Sequence, residues 1–342
     1  MSPSQYTRIV LSERPEGNID DKTFRQESLP FDLKPGPKQI LVKVDWLSLD
    51  PAMRGWLRDV RSYVPPVQIG EVMRSAGLAT VVEAGSGSKF SVGELVSCLP
   101  GWAEYAVVDD KTATLVTVPS GAEPLDFLGP LGMTGLTAYF GLLEVGKVKK
   151  GDTLVVSGAA GATGSIVCQI GKKRGAKVVA IAGSEEKCRW LKDDIGVDLA
   201  FNYKSKTFYD DFKKQVGYLD LFFDNVGGEM LNFMLTRLNQ SARIVLCGAI
   251  SDYNNESPQG LKSYMSLITQ RARMEGFIVF DYAARYGDAR AELASWLTDG
   301  SLKRKFEIVE GLQSAPTALP MLFSGGNTGK LVVRVSGPSA RL

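Results

Sequence analysis

One stretch restricts the fold of this chain more than any other: Thr153-Leu-Val-Val-Ser-Gly158-Ala-Ala-Gly161-Ala-Thr-Gly164, running on into Ser165-Ile-Val-Cys-Gln-Ile-Gly171. A β-branched apolar run, glycines three apart, then Ile166, Val167 and Ile170 on one helical face read as strand, tight turn and helix. Glycine lets the backbone turn sharply and approach a ligand, while the unpaired N–H groups opening the helix attract phosphate charge. Ala159 stands where the first glycine of G-x-G-x-x-G belongs, so Gly158, Gly161 and Gly164 give G-x-x-G-x-x-G instead. A glycine-rich packing turn is the plainer alternative, and the rest of the chain must separate the two.

Around this stretch the pattern changes twice. Residues 1–126 read as mostly β, with strands expected at Tyr6–Leu11, Gln39–Leu47, Ala76–Val82, Glu94–Leu99 and Ala103–Val108. Alternation places Ile40, Val42, Val44 and Trp46 on one face. Short strands parted by Gly, Pro and Ser turns suggest a small barrel or partly open β-fold. Two loops stand out here, Asp50-Pro-Ala-Met53-Arg54-Gly-Trp56 and Arg61-Ser-Tyr63-Val-Pro-Pro; a surface loop with Arg54 in an ion pair is the plainer reading. From 127 to 300 strands and helices alternate: a glycine-rich lead into a helix at Met133-Thr134, strands at Lys177–Ala182, Leu199–Phe201, Leu219–Phe223, Arg243–Leu246 and Gly276–Phe280, and a helix at Glu185–Asp193. Ala289, Leu293, Trp296 and Leu297 form one face of a later helix. That alternation predicts an α/β doubly wound parallel sheet. Residues 301–342 return to strands at Phe306–Val309 and Leu331–Val335 around a helix near Ala315–Phe323, and are expected to rejoin the first domain.

Composition removes several functions. The 342 residues include no histidine, which excludes imidazole as base, nucleophile partner or metal ligand. Cys98, Cys168, Cys188 and Cys247 are scattered without a C-x-x-C pair, so buried reduced thiols are expected and no metal site. A net charge of +2 gives no reason to expect nucleic acid or a membrane surface as partner. With neither a signal-peptide layout at the start nor an apolar segment of spanning length, a cytoplasmic location is expected.

The cofactor is chosen after the second strand of the unit. An acidic residue about twenty positions beyond the glycines ordinarily accepts hydrogen bonds from the adenosine ribose. Here Ser184 holds that place, within Gly183-Ser184-Glu-Glu-Lys187. A hydroxyl, a helix N-terminus and a lysine suit a 2′-phosphate, with Tyr203 a further donor, and so predict NADP(H) over NAD; the alternative for Lys187 is an ordinary solvated lysine. Asp224-Asn225-Val-Gly-Gly and Cys247-Gly248-Ala249-Ile250 follow later strands, where parallel sheets bind ligands.

Gly132-Met-Thr-Gly-Leu-Thr-Ala-Tyr139, Ser157–Gly164, Ala182–Lys187, Phe201-Asn-Tyr-Lys204, Asp224–Glu229, Cys247–Asn254, Arg273–Val279 and Gly326-Asn327-Thr-Gly-Lys330 together resemble the zinc-independent medium-chain reductases. Within them the match is to prostaglandin reductases, plant double-bond reductases and curcumin reductases, over almost the whole chain. The resemblance implies a GroES-like catalytic domain, an NADPH-binding Rossmann domain, usually a homodimer, and reduction of the C=C bond of α,β-unsaturated ketones or aldehydes. It further implies that Gly158, Ala160, Gly161, Ala162, Thr163 and Gly164 approach the pyrophosphate, and that Gly183, Ser184, Lys187 and Tyr203 hold the 2′-phosphate. Asn225, Asn327, Cys247–Ile250 and Tyr253 would hold other cofactor groups, and Met133, Thr134, Phe277, Ile278 and Val279 the nicotinamide. Met53, Arg54, Tyr63 and Tyr264 would line the substrate pocket. Two departures matter: Ala52 replaces a larger residue, and Thr269 stands where plant-type members carry a tyrosine, Tyr264 resembling the microbial branch instead.

Hydride addition to the β-carbon of an enone leaves an enolate oxygen that, without histidine or metal, needs neutral donors. Tyr63, Tyr253 and Tyr264 are the candidates, with water as proton source; each also fits a packing role. Two rivals share the cofactor site: a quinone reductase of the same superfamily, and a non-catalytic, crystallin-like NADPH-binding protein.

Overall fold

The computed structural model describes residues 3–258 and 260–335. Two compact units divide the chain, one running to Leu128 and resuming at Phe306, the other Gly129–Lys305. In the first, β1 (Gln5–Leu11) and β2 (Phe24–Pro30) form an antiparallel hairpin. β2 escapes the sequence pattern because only Phe24 of its seven residues is buried. β3 (Gln39–Ser48) pairs with β4 (Gly77–Ala84) and β6 (Tyr105–Asp109), and β4 with β5 (Leu95–Cys98), which carries β7 (Thr114–Leu115). The short helix α1 (Met53–Trp56) follows β3.

The expected single face of β3 is corrected by the structure. Ile40, Val42 and Val44 enter the main core together with Leu47, while Trp46 packs in a second cluster with Leu78, Leu128 and Val332. The register against β4 slips between Val44 and Trp46. One extra residue in a strand exchanges its faces, so alternation read across the bulge assigns Trp46 to the wrong side.

In the second unit the chain runs α2 (Met133–Phe140), β8 (Thr153–Val156), α3 (Ala162–Lys173), β9 (Lys177–Ala182), α4 (Glu185–Asp193), β10 (Leu199–Asn202) and α5 (Phe208–Gln215). It continues through β11 (Leu219–Asp224), α6 (Gly228–Leu235), β12 (Leu238–Leu246), α7 (Met265–Thr269), β13 (Arg273–Gly276) and α8 (Tyr286–Thr298). The six strands are parallel, in the order β10-β9-β8-β11-β12-β13. This is the doubly wound order, in which β8 and β11 are neighbours although five elements, α3 through α5, lie between them in the chain. Leu154, Val155, Val156, Leu221, Phe222 and Phe223 are all fully buried, as central parallel strands covered on both faces require. Ala289, Leu293 and Leu297 of α8 are buried as expected.

The strand expected at Gly276–Phe280 is also corrected. Pairing with β12 ends at Leu246 and Gly276, and a 3₁₀ helix covers Val279–Arg285. Phe277 leaves the sheet to lie on Gly141, its ring carbon 2.5 Å from where a Cβ there would stand. The chain then returns to the first unit as β14 (Phe306–Glu310), α9 (Ala315–Ala318), α10 (Met321–Ser324) and β15 (Lys330–Arg334), with β15 antiparallel to β3. The single helix expected there is two, parted at Leu319-Pro320, because proline supplies no N–H to continue the ladder. No helix among the described residues is long and apolar enough to cross a membrane.

Candidate functional site

Strand order reverses between β8 and β11, and open parallel sheets bind ligands outside the carboxyl ends of the strands at such a point. Those two ends are tied together by side chains. The Ser157 hydroxyl donates to Asp224 Oδ1 at 2.7 Å and accepts from Asn225 N at 2.8 Å, while Asn225 Nδ2 donates to the Ser157 carbonyl at 2.7 Å. Asp224 is fully buried and also accepts from Val226 N at 3.0 Å and Gly227 N at 3.1 Å. Burial pushes its carboxyl above the usual range, against the pull of these donors. The Asp224 carbonyl accepts from Cys247 N and Gly248 N, which joins β12 to the same knot. Burial, reinforced by Asp224, pushes the Cys247 thiol up to about 12, so it is no nucleophile at neutral pH.

The glycine turn divides its work among three residues. Gly158 has φ +57°, which an L side chain rarely adopts. Gly164 permits contact between turn and helix, since a Cβ there would stand 2.4 Å from the Gly158 carbonyl oxygen and 2.8 Å from Ala159 Cα. Its missing Cβ therefore serves packing, in addition to the pyrophosphate approach that the resemblance implies. Gly161, the N-cap of α3, would meet only the Gly158 oxygen, at 3.2 Å. No side chain caps α3, so the N–H groups of Ala162, Thr163 and Gly164 lack intrahelical acceptors and the dipole's positive end is open to an anion. Ala160 is buried beneath the turn.

Beyond β9, Ser184 caps α4, its hydroxyl accepting from Lys187 N at 3.2 Å. A Cβ on Gly183 would lie 3.1 Å from the Tyr203 ring, so glycine lets this half-exposed tyrosine lie across the turn. Lys204 Nζ stands 5.9 Å from the Tyr203 ring. Glu185, the nearest acid in sequence, accepts from Asn202 Nδ2 at 2.9 Å. A hydroxyl, a helix start, Lys187 and a phenol thus gather where a ribose-binding carboxylate is missing. This donor set fits a 2′-phosphate.

At the end of β12 the turn Cys247–Ile250 folds over Asn225. Ile250 N donates to the Asn225 carbonyl at 3.3 Å, and Ala249 N donates to the Tyr253 hydroxyl at 3.2 Å. That hydroxyl sits 3.1 Å from where a Cβ on Gly248 would stand. At the start of α2, Thr134 Oγ1 donates to the Gly129 carbonyl at 3.0 Å. Tyr286, which the sequence reading missed, donates to the Val279 carbonyl at 3.0 Å and lies 3.9 Å from the Met133 sulfur, so it joins two of the expected nicotinamide segments. Its spacing four residues after Tyr282, which stacks on Phe140 at 4.7 Å, was the available signal.

In the first unit, Asn327 Nδ2 donates to the Gly329 carbonyl at 3.0 Å, and the Tyr63 hydroxyl accepts from Trp56 Nε1 at 3.1 Å. Met53 and Arg54 do not line a pocket. Met53 is fully buried in the main core, and Arg54, 2% exposed, donates to the carbonyls of Pro15 at 3.1 Å and Gly17 at 2.8 Å. A buried guanidinium needs acceptors, and the β1–β2 connection supplies them. Tyr264, in the second unit, precedes α7 and is 54% exposed. Among the described residues no three Cys, Asp or Glu side chains gather to hold a metal ion.

Comparison with known proteins agrees with this architecture. Residues 7–116 match the family described as the N-terminal domain of oxidoreductase, and residues 162–296 the one described as zinc-binding dehydrogenase. The chain is 39% identical to the NADPH-dependent curcumin reductase of Escherichia coli, over 96% of this chain and 97% of that protein. It is 40% identical to the 2-alkenal reductase (NADP(+)-dependent) of Nicotiana tabacum, over 92% and 93%. The crystal structure of CurA from Vibrio vulnificus in complex with NADPH aligns with a TM-score of 0.90 at 39% identity, covering 97% of this chain and 100% of that one. A doubly wound nucleotide-binding unit joined to a mostly β unit defines a two-domain oxidoreductase. The chain belongs to the medium-chain dehydrogenase/reductase family, in the group that contains the curcumin and alkenal reductases.

The glycines make a direct test. Gly164→Ala is expected to cost about 1–3 kcal/mol in urea unfolding, because backbone must move to admit the methyl group. Gly161→Ala is expected to cost less than about 1 kcal/mol. Equal losses in the two variants would refute this division of roles.

Proposed function

We propose that the protein reduces the C=C bond of α,β-unsaturated ketones and aldehydes with NADPH. The observation that carries the cofactor is the end of β9, where Ser184, Lys187 and Tyr203 replace the missing acid beside a helix start. The curcumin and alkenal reductases, which match 96% and 92% of the chain, support the substrate class. The second unit is then the Rossmann cofactor domain and the first the GroES-like catalytic domain, in a homodimer.

The N–H groups of Ala162 and Thr163 would hold the pyrophosphate; Ser184, Lys187 and Tyr203 the 2′-phosphate. Asn225, the Cys247–Ile250 turn and Asn327 would hold further polar groups, and Met133, Thr134 and Phe277–Val279 would frame the nicotinamide. NADPH, when bound, supplies the hydride that the β-carbon accepts. The chain must stabilise the enolate oxygen with neutral donors, since it has no imidazole. Tyr253 and Tyr63 suit this best of the three candidate tyrosines. Each phenol oxygen already accepts an N–H, from Ala249 and Trp56 respectively, and accepting one hydrogen bond makes the O–H a stronger donor. The phenol donates a hydrogen bond while water delivers the α-proton.

The deciding experiment is an NADPH-oxidation screen over enals, enones, curcuminoids and quinones with product analysis. Saturated ketones or aldehydes are the expected products; quinol formation alone, or tight NADPH binding without turnover, would overturn the reading. Lys187→Ala should raise KM for NADPH about tenfold or more through the lost charge-assisted bond and leave that for NADH nearly unchanged. Tyr63→Phe and Tyr253→Phe should each lower kcat by about 10–100-fold, as loss of an oxyanion donor does. Unchanged kcat in both, and in Tyr264→Phe, removes tyrosine from the mechanism.

A further inference from the structure

The opposite end of the parallel sheet carries a feature that the reductase chemistry does not use. The turn before β8 and the amino-terminal parts of β12 and β13 border a shallow, open cleft of about 280 Å³, lined by Lys147, Lys149, Ser241, Arg243, Arg271 and Arg273. Five of these six residues are cations, in a chain whose net charge is only +2. Arg243 and Arg273 are register partners on adjacent strands, an arrangement of like charges that opposes pairing unless something offsets it. Two carboxylates partly do so: Asp152 at 2.5 Å from Arg243 and Glu275 at 3.9 Å from Arg273. Neither lines the cleft. The ammonium groups of Lys147 and Lys149 make no ion pair among the described residues. Arg243 Nε is buried with no hydrogen-bond partner, although the rest of its guanidinium is fixed by Asp152 and the Lys147 and Asp220 carbonyls.

The backbone is bent to make this lining. Among the described residues four non-glycine positions have φ in the left-handed region, and three of them, Lys147 at +47°, Ser241 at +62° and Arg271 at +50°, belong to the cleft. Side chains larger than glycine resist that conformation. At Ser241 the strand bulges and its N–H turns to the Gln270 carbonyl at 2.7 Å. Lys, Ser and Arg stand where glycine would fold more easily, so their side chains are what the bends display.

We propose that this cleft is a second anion site and that it takes a linear oligophosphate. Guanidinium forks match phosphate oxygens in pairs, and lysines on flexible stems follow the next group along. More cations than carboxylates face the cleft, which favours two or three linked phosphates over one. No aromatic side chain lines it, so it offers no platform for a base and reads the phosphate chain alone. It is distinct from the dinucleotide crevice. Arg243 lies on β12 four residues before Cys247, which opens the turn after that strand, about 13 Å at the rise of an extended chain.

Titration calorimetry with inorganic triphosphate, on the full chain saturated with NADPH, tests this. Saturable one-to-one binding is expected, weakened at least about tenfold in a Lys149→Ala/Arg271→Ala double variant. NADPH affinity should be unchanged in that variant, which also shows that it is folded; Lys147→Glu gives a second, single-site check with the same expectation. ATP in place of triphosphate separates the sources of the anion: equal affinity admits a nucleotide's phosphate chain, and weaker binding reserves the cleft for the inorganic anion. Absence of binding, equal binding by the double variant, or displacement of triphosphate by NADPH would each overturn the proposal.

Discussion

The knot of Ser157, Asp224 and Asn225 is the constraint on which the rest of the nucleotide-binding unit depends. β8 and β11 are adjacent in the sheet but 67 residues apart at Ser157 and Asp224, and the chain leaves them for different parts of the sheet. Backbone pairing carries the two strands as far as Ser157 N, which donates to the Phe223 carbonyl at 3.1 Å, and beyond that point side chains hold their ends together. A fully buried carboxylate is costly unless its oxygens are filled, and Asp224 fills them with one hydroxyl and the N–H groups of Val226 and Gly227. Those same bonds fix the start of α6, and the Asp224 carbonyl fixes the turn after β12. A partly satisfied version would be worse than an apolar one, so the cluster also selects one register.

From that anchor the crevice is built mostly of backbone. Gly158 turns, Gly164 admits the helix, and Gly161 leaves the helix start bare. On the proposed function, side chains select the cofactor at Ser184, Lys187 and Tyr203. Discrimination between a ribose hydroxyl and a phosphate comes from charge and donor count, and the sequence changes both at once by omitting the acid.

Much of this was legible in the sequence because it rests on local chemistry. The strand–turn–helix at Thr153–Gly171, the helix at Glu185–Asp193 and the strand at Lys177–Ala182 follow from periodicity and glycine placement, and the structure has them. What escaped depends on distant neighbours. Trp46 changes face because of a bulge set by β4, and Phe277 abandons its strand for a gap that Gly141 opens. Arg54 reads as a surface ion pair from its loop and as a pocket residue from the resemblance, yet it is buried on the Pro15 and Gly17 carbonyls, which come from a connection no spacing rule joins to it. The pairing of Ser157 with Asp224 was hidden for the same reason: each residue ends an apolar strand, and only the sheet order makes them neighbours.

The absence of histidine and the state of the cysteines act together on the chemistry. An α,β-unsaturated carbonyl compound alkylates thiolates, so a protein that handles one as its substrate is exposed to modification by it. Burial pushes the Cys98 thiol up to about 12 and that of Cys188 to about 11, and raises Cys168 further still, while the half-buried Cys247 is pushed up to about 12 by desolvation and by Asp224. Reactivity follows the thiolate fraction, which is negligible at neutral pH for groups held so high. There is also no imidazole in the chain to take their protons. On the proposed function, the side chains left to meet the substrate are hydroxyls, amides and fixed cations. They bind and polarise an enone and form no bond to it.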